Sequence, residues 1–315
     1  MEFVKNLNVV NKSDTALAGG KGASLGEMIQ AGIPVPPGFV ILSTAFEAFL
    51  DAAALRVDID SVLRAVDHKE LRTVENASAR IQSRILDADF SKDIVVEVQR
   101  QFRDLDTGYV AVRSSASTED SLSAAWAGQL DSFLSTTEET LLKNIKHCWA
   151  SLFTARAIFY RFEKQLHEQK IYIAVVVQKM INSEISGTAF SVHPVTHDRN
   201  RLIIEAGFGL GEAIVSGQIT PDSYVVDKKD WVILDINVVR QHRMLTTKAK
   251  GGVEWVEIPN EKQGEPKLSG RQIMALAKLV VDIESHYKRP CDIEWAMENA
   301  RFYITQSRPI TTLNR

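Results

Sequence analysis

The feature that most constrains this chain is a pair of strand-like segments close to residue 300. Residues 291–297 and 302–308 alternate apolar and polar side chains, and a polar turn at residues 298–300 joins them. This pattern predicts a β-hairpin. Because alternate residues of a strand share a face, Asp292 and Glu294 should point to one side of the hairpin.

The hairpin is predicted to gather four polar side chains on one face: Asp292, Glu294, Gln306 and Arg308. A three-residue loop would place Asp292 opposite Gln306, and a five-residue loop would place Glu294 opposite Gln306. Both registers leave all four on the same face. Two carboxylates, an amide oxygen and a guanidinium suit a hard cation and its phosphate ligands. The alternative is a solvated hairpin with a charged outer face.

A glycine-rich segment, residues 19–28, precedes a predicted helix. Ser24 and Glu27 form a capping-box pattern, so we expect the helix to begin at Leu25. Lys21 would then lie in a glycine turn just before a helix N-terminus, where amides and the helix dipole favour an anion. The segment lacks the glycine spacing of a P-loop. A plain glycine turn with a solvated lysine is the alternative.

A second candidate phosphate-binding segment follows a strand predicted at residues 109–112. Arg113 would stand at the end of that strand, at the start of a polar loop over residues 114–120. Its guanidinium and the hydroxyls that follow could bind an oligophosphate. Alternatively, the serines satisfy turns and Arg113 pairs with Glu119 or Asp120.

Glycines at residues 207–211 follow a strand predicted at 202–206, as in dinucleotide-binding proteins. The third glycine is misplaced for that fingerprint, and Gly217 and Pro221 interrupt the helix that it requires. Backbone packing, or contact with a triphosphate, is the better interpretation of these glycines. The polar, glycine-rich residues 240–270 are predicted to form a loop.

Composition excludes several classes of function. The net charge of −3 provides no basic footprint for nucleic acid and no polybasic membrane patch. Two cysteines cannot form a disulfide framework or a CxxC metal site. The first residues lack an apolar segment, so we expect no signal peptide. The longest tight apolar run, residues 171–177, is too short to span a membrane. We therefore expect a cytoplasmic protein.

Six short motifs follow one another along the chain in an order that is typical of one protein family. They are GGKGASLGEM at 19–28, VRSSA at 112–116, AGQ at 127–129, VQKM at 177–180, GLGE at 209–212 and DIEWA…QSRP within 292–309. Together they resemble the ATP-binding N-terminal domain of the phosphoenolpyruvate synthase, pyruvate phosphate dikinase and rifampin phosphotransferase family, and phosphoenolpyruvate synthase most closely. The resemblance covers essentially the whole chain.

The resemblance implies an α+β, ATP-grasp-like fold in which two lobes enclose a nucleotide cleft. Residues 1–177 would form the first lobe and residues 178–315 the second. It also implies that ATP binds with Mg²⁺ and that the domain is a phosphotransferase. Phosphoryl transfer demands positioning and charge neutralisation rather than covalent chemistry by such a domain.

The family motifs also imply roles for residues that would contact phosphate. Lys21 and Arg113 would bind the phosphates, and Arg308 would hold the phosphate that is transferred. Gly128 and Ser132 would belong to the loop that closes over the phosphates. Ser132 stands where relatives often have threonine.

Further roles concern the base and the metal. Gln178 and its neighbours would hold adenine at a hinge between the lobes. Glu294 and Gln306 would bind Mg²⁺, with Asp292 in support. Glu212 is a weaker candidate for contact with the nucleotide.

Family members pass phosphate through a histidine on a separate carrier domain to an acceptor domain. None of the seven histidines of this chain lies in the glycine-rich context of such a carrier. We expect the carrier and acceptor domains in the same longer protein or in trans, with pyruvate as the final acceptor. The alternatives are an antibiotic as acceptor, orthophosphate plus pyruvate as acceptors, and a non-catalytic ATP-sensing module.

Overall fold

The computed structural model describes residues 2–116, 120–121, 124–125, 131–166 and 172–310. The chain divides into two compact units. The first comprises Met1–Gly26 and Pro37–Met180, and the second comprises Glu27–Pro36 and Ile181–Arg315.

The first unit combines seven helices with a five-stranded antiparallel sheet within the described ranges. Its strands and helices are β1 (Val4–Asn6), α1 (Thr15–Gln30), β2 (Gly38–Ile41), α2 (Ser43–Ala52), α3 (Arg56–Arg64), α4 (Leu71–Asp87), α5 (Lys92–Asp104), β3 (Val110–Ala116), the two-residue strands β4 (Asp120–Ser121) and β5 (Ala124–Ala125), β6 (Ser132–Thr136), α6 (Glu138–Ala150), α7 (Ala155–Glu163) and β7 (Ile173–Lys179). The sheet has the order β1-β2-β7-β3-β6. Residues 27–30 of α1 belong to the second unit.

Alternation of side chains gives this sheet one apolar face. Val110 and Val112 of β3 are fully buried in the same core cluster as Val175 and Val177 of β7 and Trp149 of α6. Because Val112 pairs with Val177, these residues share the face that the helices cover. The residues between them point to the opposite face, which carries Arg113 of β3 and Gln178 of β7.

The second unit is built on a six-stranded antiparallel sheet. Its elements are β8 (Ile185–Phe190), β9 (Arg201–Phe208), α8 (Glu212–Val215), β10 (Asp222–Asp227), β11 (Val232–Asn237), β12 (Arg243–Thr247), β13 (Val253–Glu257), α9 (Gly270–Tyr287), β14 (Cys291–Glu298) and β15 (Arg301–Pro309). The sheet has the order β11-β10-β9-β8-β14-β15, and β12 and β13 form a separate hairpin.

Helix α9 covers one face of this second sheet. A capping box at Ser269 and Gln272 begins the helix, and its apolar stripe is buried from Ile273 to Ile283. The helix packs on β9, β10 and β14. The sheet residues on the covered face include the fully buried Tyr224, Ile204 and Ile293. The opposite face therefore carries the polar residues of the alternating strands.

Two elements differ from the sequence prediction. Residues 240–270 are not simply a loop, since β12 and β13 form a hairpin within them. Helix α1 consists of two helical segments joined at Gly19, whose backbone is not helical (φ 71°, ψ 170°). Lys21 therefore lies in the first turn of the second segment rather than before a helix that begins at Leu25. The capping-box pattern was a misleading signal, because Gly20 and Gly22, which precede it, are already helical.

Both sheets pair their strands antiparallel, and the helices lie outside the sheets, which confirms the α+β class. Strand β9 pairs antiparallel with β8 and with β10, so its glycine-rich end does not begin the parallel crossover of a dinucleotide-binding unit. No helix in the described part of the chain is long and apolar enough to cross a membrane.

Candidate functional site

The β14–β15 hairpin turns in two residues rather than the predicted three or five. Glu298 pairs directly with Arg301, and the turn residues Asn299 and Ala300 both have positive φ angles (52° and 58°). Two residues of this conformation form the turn that matches the twist of a β-hairpin. The predicted strand ends are otherwise within about two residues of those observed.

A β-bulge then sets the register of the polar residues. Trp295 pairs with Ile304, but Glu294 pairs with Gln306, so Thr305 is an extra residue in β15. Without it, Gln306 would pair with Ile293 and turn to the buried face of the sheet. The bulge therefore places Gln306 beside Glu294.

An ion pair lies next to this carboxylate–amide pair. Asp292 pairs with Arg308 across the same two strands, and Nη2 of Arg308 lies 2.8 Å from Oδ2 of Asp292. Burial raises the pKa of Asp292, against the attraction of Arg308, and the negative charge of Glu294 raises it further. Burial of the carboxyl group is therefore the main cause of the raised pKa, and Arg308 stabilises the charged form. The prediction that all four side chains share one face is confirmed by the register.

Two further polar residues extend the same face beyond the hairpin. Thr188 of β8 pairs with Glu294 on one side and with Glu205 of β9 on the other. Glu205, Thr188, Glu294 and Gln306 therefore form a row across four strands. Sequence reasoning missed Glu205 and Thr188, because only the pairing of β8 with β14 brings these distant segments together.

In the first unit, the kink of α1 is held against β3. The hydroxyl of Ser115 donates to the carbonyl of Ala18 (2.9 Å) and accepts from the backbone N–H of Gly22 (3.1 Å). A Cβ at Gly19 would overlap the carbonyl oxygen of Ser115. Glycine is thus required at the kink both for its positive φ and for this close approach.

The kink brings Lys21 to the strand that carries Arg113. Nζ of Lys21 donates to the carbonyl oxygen of Ser114 at 2.6 Å. Arg113 directly precedes Ser114 in β3. It lies inside the strand rather than at its end, since β3 continues to Ala116. Residues 114–116, which were predicted to begin a polar loop, therefore belong to the strand. Ser114 is fully buried, and its hydroxyl donates to the carbonyl of Asp131 rather than facing a ligand.

Strand pairing also places Ser132 and Gln178 on the face of Arg113. Arg113 pairs with Ser132 of β6 and with Val176 of β7, and Gln178 lies two residues further along β7. Ser132 is exposed and Gln178 is buried. Three predicted ligands of the first unit, Arg113, Ser132 and Gln178, therefore share one sheet face.

The two remaining residues predicted from the sequence are Gly128 and Glu212. Gly128 lies outside the described residues. Glu212 opens α8, and the preceding Gly209 has a positive φ of 86° and lies against the backbone of Leu245. Backbone packing therefore accounts for Gly209, as the sequence interpretation allowed. Contact of Glu212 with a nucleotide stays a prediction.

Comparison with known proteins identifies the family. Residues 15–315 match the family described as the pyruvate phosphate dikinase AMP/ATP-binding domain. The chain belongs to this family. The resemblance predicted from the motifs is thereby confirmed for nearly the entire chain.

Relatives of this ATP-binding domain family carry two kinds of name. A probable phosphoenolpyruvate synthase from Archaeoglobus fulgidus is 44% identical over 97% of this chain and 41% of its own length. One from Methanocaldococcus jannaschii is 40% identical over 100% of this chain and 27% of its own length. The rifampicin phosphotransferase of Bacillus subtilis is 37% identical over 99% of this chain and 36% of its own length. The chain thus spans less than half the length of these relatives.

The packing of the α1 kink predicts a large difference between two glycine substitutions. Gly19 and Gly32 both have positive φ (71° and 78°), but no atom lies near a Cβ at Gly32. Gly32→Ala should cost about 1–2 kcal/mol for the left-handed backbone alone. Gly19→Ala should cost about 3 kcal/mol or more, because the overlap with Ser115 adds to that strain. Urea denaturation of both variants measures this difference in the free energy of unfolding. Equal losses would show that α1 is not held tightly against β3.

Proposed function

We propose that this chain is the ATP-binding module of a phosphotransferase of the phosphoenolpyruvate synthase type. It binds ATP with Mg²⁺ and passes a phosphate to a histidine on a separate carrier domain, with pyruvate as the final acceptor. In this proposal the two units are the two lobes of an ATP-grasp-like fold. Family membership supports ATP as the ligand.

The observation that carries the proposal is the pairing of Glu294 with Gln306 next to the pair Asp292–Arg308. The bulge at Thr305 keeps Gln306 off the buried face of the sheet and sets its amide directly opposite Glu294. An exposed ion pair contributes only about 0–1 kcal/mol to stability. The side chain of Arg308 is 41% exposed and that of Asp292 is 14% exposed, so solvent screens this pair from the side of Arg308. Binding of a cation and phosphates explains the arrangement better.

The residues of this face fit Mg²⁺. Glu294 and Gln306 present a carboxylate and an amide oxygen, which are hard-cation ligands, and Asp292 supplies a second carboxylate within the same face. Burial is the main cause of the raised pKa of Asp292, and a bound cation would stabilise its charged form. When bound, Mg²⁺ would neutralise the charge on the phosphates and on the transferring group. Arg308 would hold the phosphate that is transferred.

The first unit would supply the remaining charges. Lys21 and Arg113 would bind the phosphates, because both are cations whose backbones the kink of α1 and β3 hold in place. Ser132 shares the face of Arg113 and would donate its hydroxyl to the same phosphates. Gln178, near the end of the last strand of this unit, would contact adenine. These positions orient the triphosphate, and orientation is the main requirement of phosphoryl transfer.

The two cysteines are poor candidates for a covalent carrier of the phosphate. Burial raises the pKa of Cys148 to about 12 and that of Cys291 to about 11, so both thiols stay protonated. The ring of His193 accepts backbone N–H groups of Val195 and Thr196 through Nδ1, and His286 contacts Glu27. A carrier histidine on another domain accounts better for transfer, and the greater length of the relatives leaves room for it.

The proposal predicts that substitutions of the phosphate-binding cations and of the metal ligand Glu294 differ in how their effect on ATP binding depends on Mg²⁺. Lys21→Met and Arg113→Met should weaken binding of a non-hydrolysable ATP analogue about tenfold or more, since a hydrogen bond to a charged group contributes roughly 1.5–3 kcal/mol. Glu294→Gln should weaken binding only when Mg²⁺ is present. In EDTA this variant should bind at least as tightly as the wild type, because the lost carboxylate repels the triphosphate. Isothermal titration calorimetry in both buffers measures these affinities.

Two exposed residues provide matched controls. Arg72→Met removes a cation from α4 in the first unit, and Asp235→Asn removes a carboxylate from β11 in the second. Both should bind like the wild type. If Lys21→Met and Arg113→Met behave like Arg72→Met, the phosphate assignment is wrong. If Glu294→Gln loses affinity equally in EDTA, Glu294 does not act through a metal.

The carrier is tested with ATP labelled at the β-phosphate. This chain alone should acquire no stable, acid-labile label and should make no phosphoenolpyruvate from pyruvate. Addition of a histidine-carrier domain and an acceptor domain should start ATP consumption that depends on pyruvate. Stable acid-labile label on one of the seven histidines of this chain would contradict the proposal. Consumption that depends instead on rifampicin would select the antibiotic as acceptor.

A further inference from the structure

The row across β9, β8, β14 and β15 contains a carboxylate that the proposed function does not use. Glu205 of β9 pairs with Thr188 of β8, which pairs with Glu294 of β14. All three share the face that also carries Gln306. Glu205 is half-buried. Charged side chains are seldom buried unless they are paired, so a carboxylate at this position calls for an explanation.

Thr188 connects this carboxylate with the proposed metal ligand. Its hydroxyl donates to Oε2 of Glu205 at 2.7 Å. A threonine hydroxyl has a single proton, so with that proton given to Glu205 it presents only lone pairs to its other neighbours. The backbone on both sides is held firmly, since Thr188 is 9% exposed and its carbonyl accepts from Nε1 of Trp295.

Glu205 adds a third carboxylate to a face that already carries Glu294 and Asp292. On this face Arg308 pairs with Asp292, and Arg201, further along β9, pairs with Asp198. A neutral amide at residue 205 would accept the hydrogen bond of Thr188 without adding negative charge. The retained charge is therefore explained by an effect on the cation rather than by the hydrogen bond alone.

We propose that Glu205 is a positioning residue for the Mg²⁺ of the proposed function. It fixes the hydroxyl of Thr188 as an acceptor beside Glu294, and its negative charge raises the affinity of the row for a divalent cation. Glu205 acts through Thr188 and through its field, without serving as a ligand itself. Residues that contact metal ligands without binding the metal themselves orient these ligands and tune their charge. This inference rests on the proposed function.

The test separates the charge of Glu205 from the hydroxyl of Thr188. Glu205→Gln keeps an acceptor of the same size and removes the charge, and Thr188→Val removes the hydroxyl at similar volume. Thr188→Ser restores the hydroxyl. The readout is the Mg²⁺ concentration at half-maximal tightening of ATP-analogue binding, measured by calorimetry, with affinity in EDTA and thermal stability recorded in parallel.

We expect Glu205→Gln and Thr188→Val each to raise the Mg²⁺ midpoint about tenfold, the lower end of typical outer-group effects on metal affinity. Affinity in EDTA should not fall. Thr188→Ser should restore the wild-type midpoint. Asp235→Asn, which removes an exposed carboxylate from β11 of the same sheet, should leave the midpoint unchanged.

A purely structural role for Glu205 would lower thermal stability and leave the Mg²⁺ midpoint within twofold of the wild type, and this result would overturn the inference while the proposed function stands. If the wild type itself shows no Mg²⁺-dependent binding, the proposed function fails and the inference with it. Should Glu205→Gln not fold, Thr188→Val decides the question by the same measurement.

Discussion

The pairing of Glu294 with Gln306 is the interaction on which the account of the second unit depends. It exists because one extra residue, Thr305, interrupts the regular pairing of β15 with β14. A two-residue turn alone would have sent Gln306 to the buried face, where an unsatisfied amide costs roughly 1–3 kcal/mol. The bulge instead returns the polar residues that follow it to the face of the carboxylates. Bulges are commonly found where a strand must re-aim side chains at a functional site.

The first unit reaches a comparable result through helix geometry. The kink at Gly19 and the hydroxyl of Ser115 hold the start of the following helical turn against β3. This contact brings Lys21 to the strand of Arg113, although 91 residues separate them. In both units, then, one local departure from regular geometry positions charged groups. The regular elements around it supply the buried core that holds the departure in place.

Sequence periodicity predicted the faces of the elements better than their ends. Alternation alone placed Asp292, Glu294, Gln306 and Arg308 together, because a loop of three or of five residues leaves all four side chains on the same face. The turn length and the bulge could not be predicted, since alternation indicates the face of a residue but not the residue that lies opposite it. The helix at Lys21 was misjudged because glycine has a low intrinsic helix propensity, and the contact of α1 with β3 overrides it here.

Residues that act through distant pairings were beyond sequence reasoning. Glu205 lies 89 residues before Glu294, and nothing in its own segment indicates that Thr188 will stand between them. The family motifs found the hairpin, Lys21 and Arg113, because those residues occur in short recognisable strings. The role of such a residue can be recognised only once the order of the strands in the sheet is known.

The central claim is that the bulged hairpin is the metal-binding half of an ATP site. Crystals of this chain with Mn²⁺ and a non-hydrolysable ATP analogue would test it most directly, since Mn²⁺ is located by its anomalous scattering and takes the oxygen ligands of Mg²⁺. We predict an anomalous peak in contact with the carboxylate of Glu294, the amide oxygen of Gln306 and an oxygen of the triphosphate. A triphosphate bound with its Mn²⁺ away from both side chains would contradict the account.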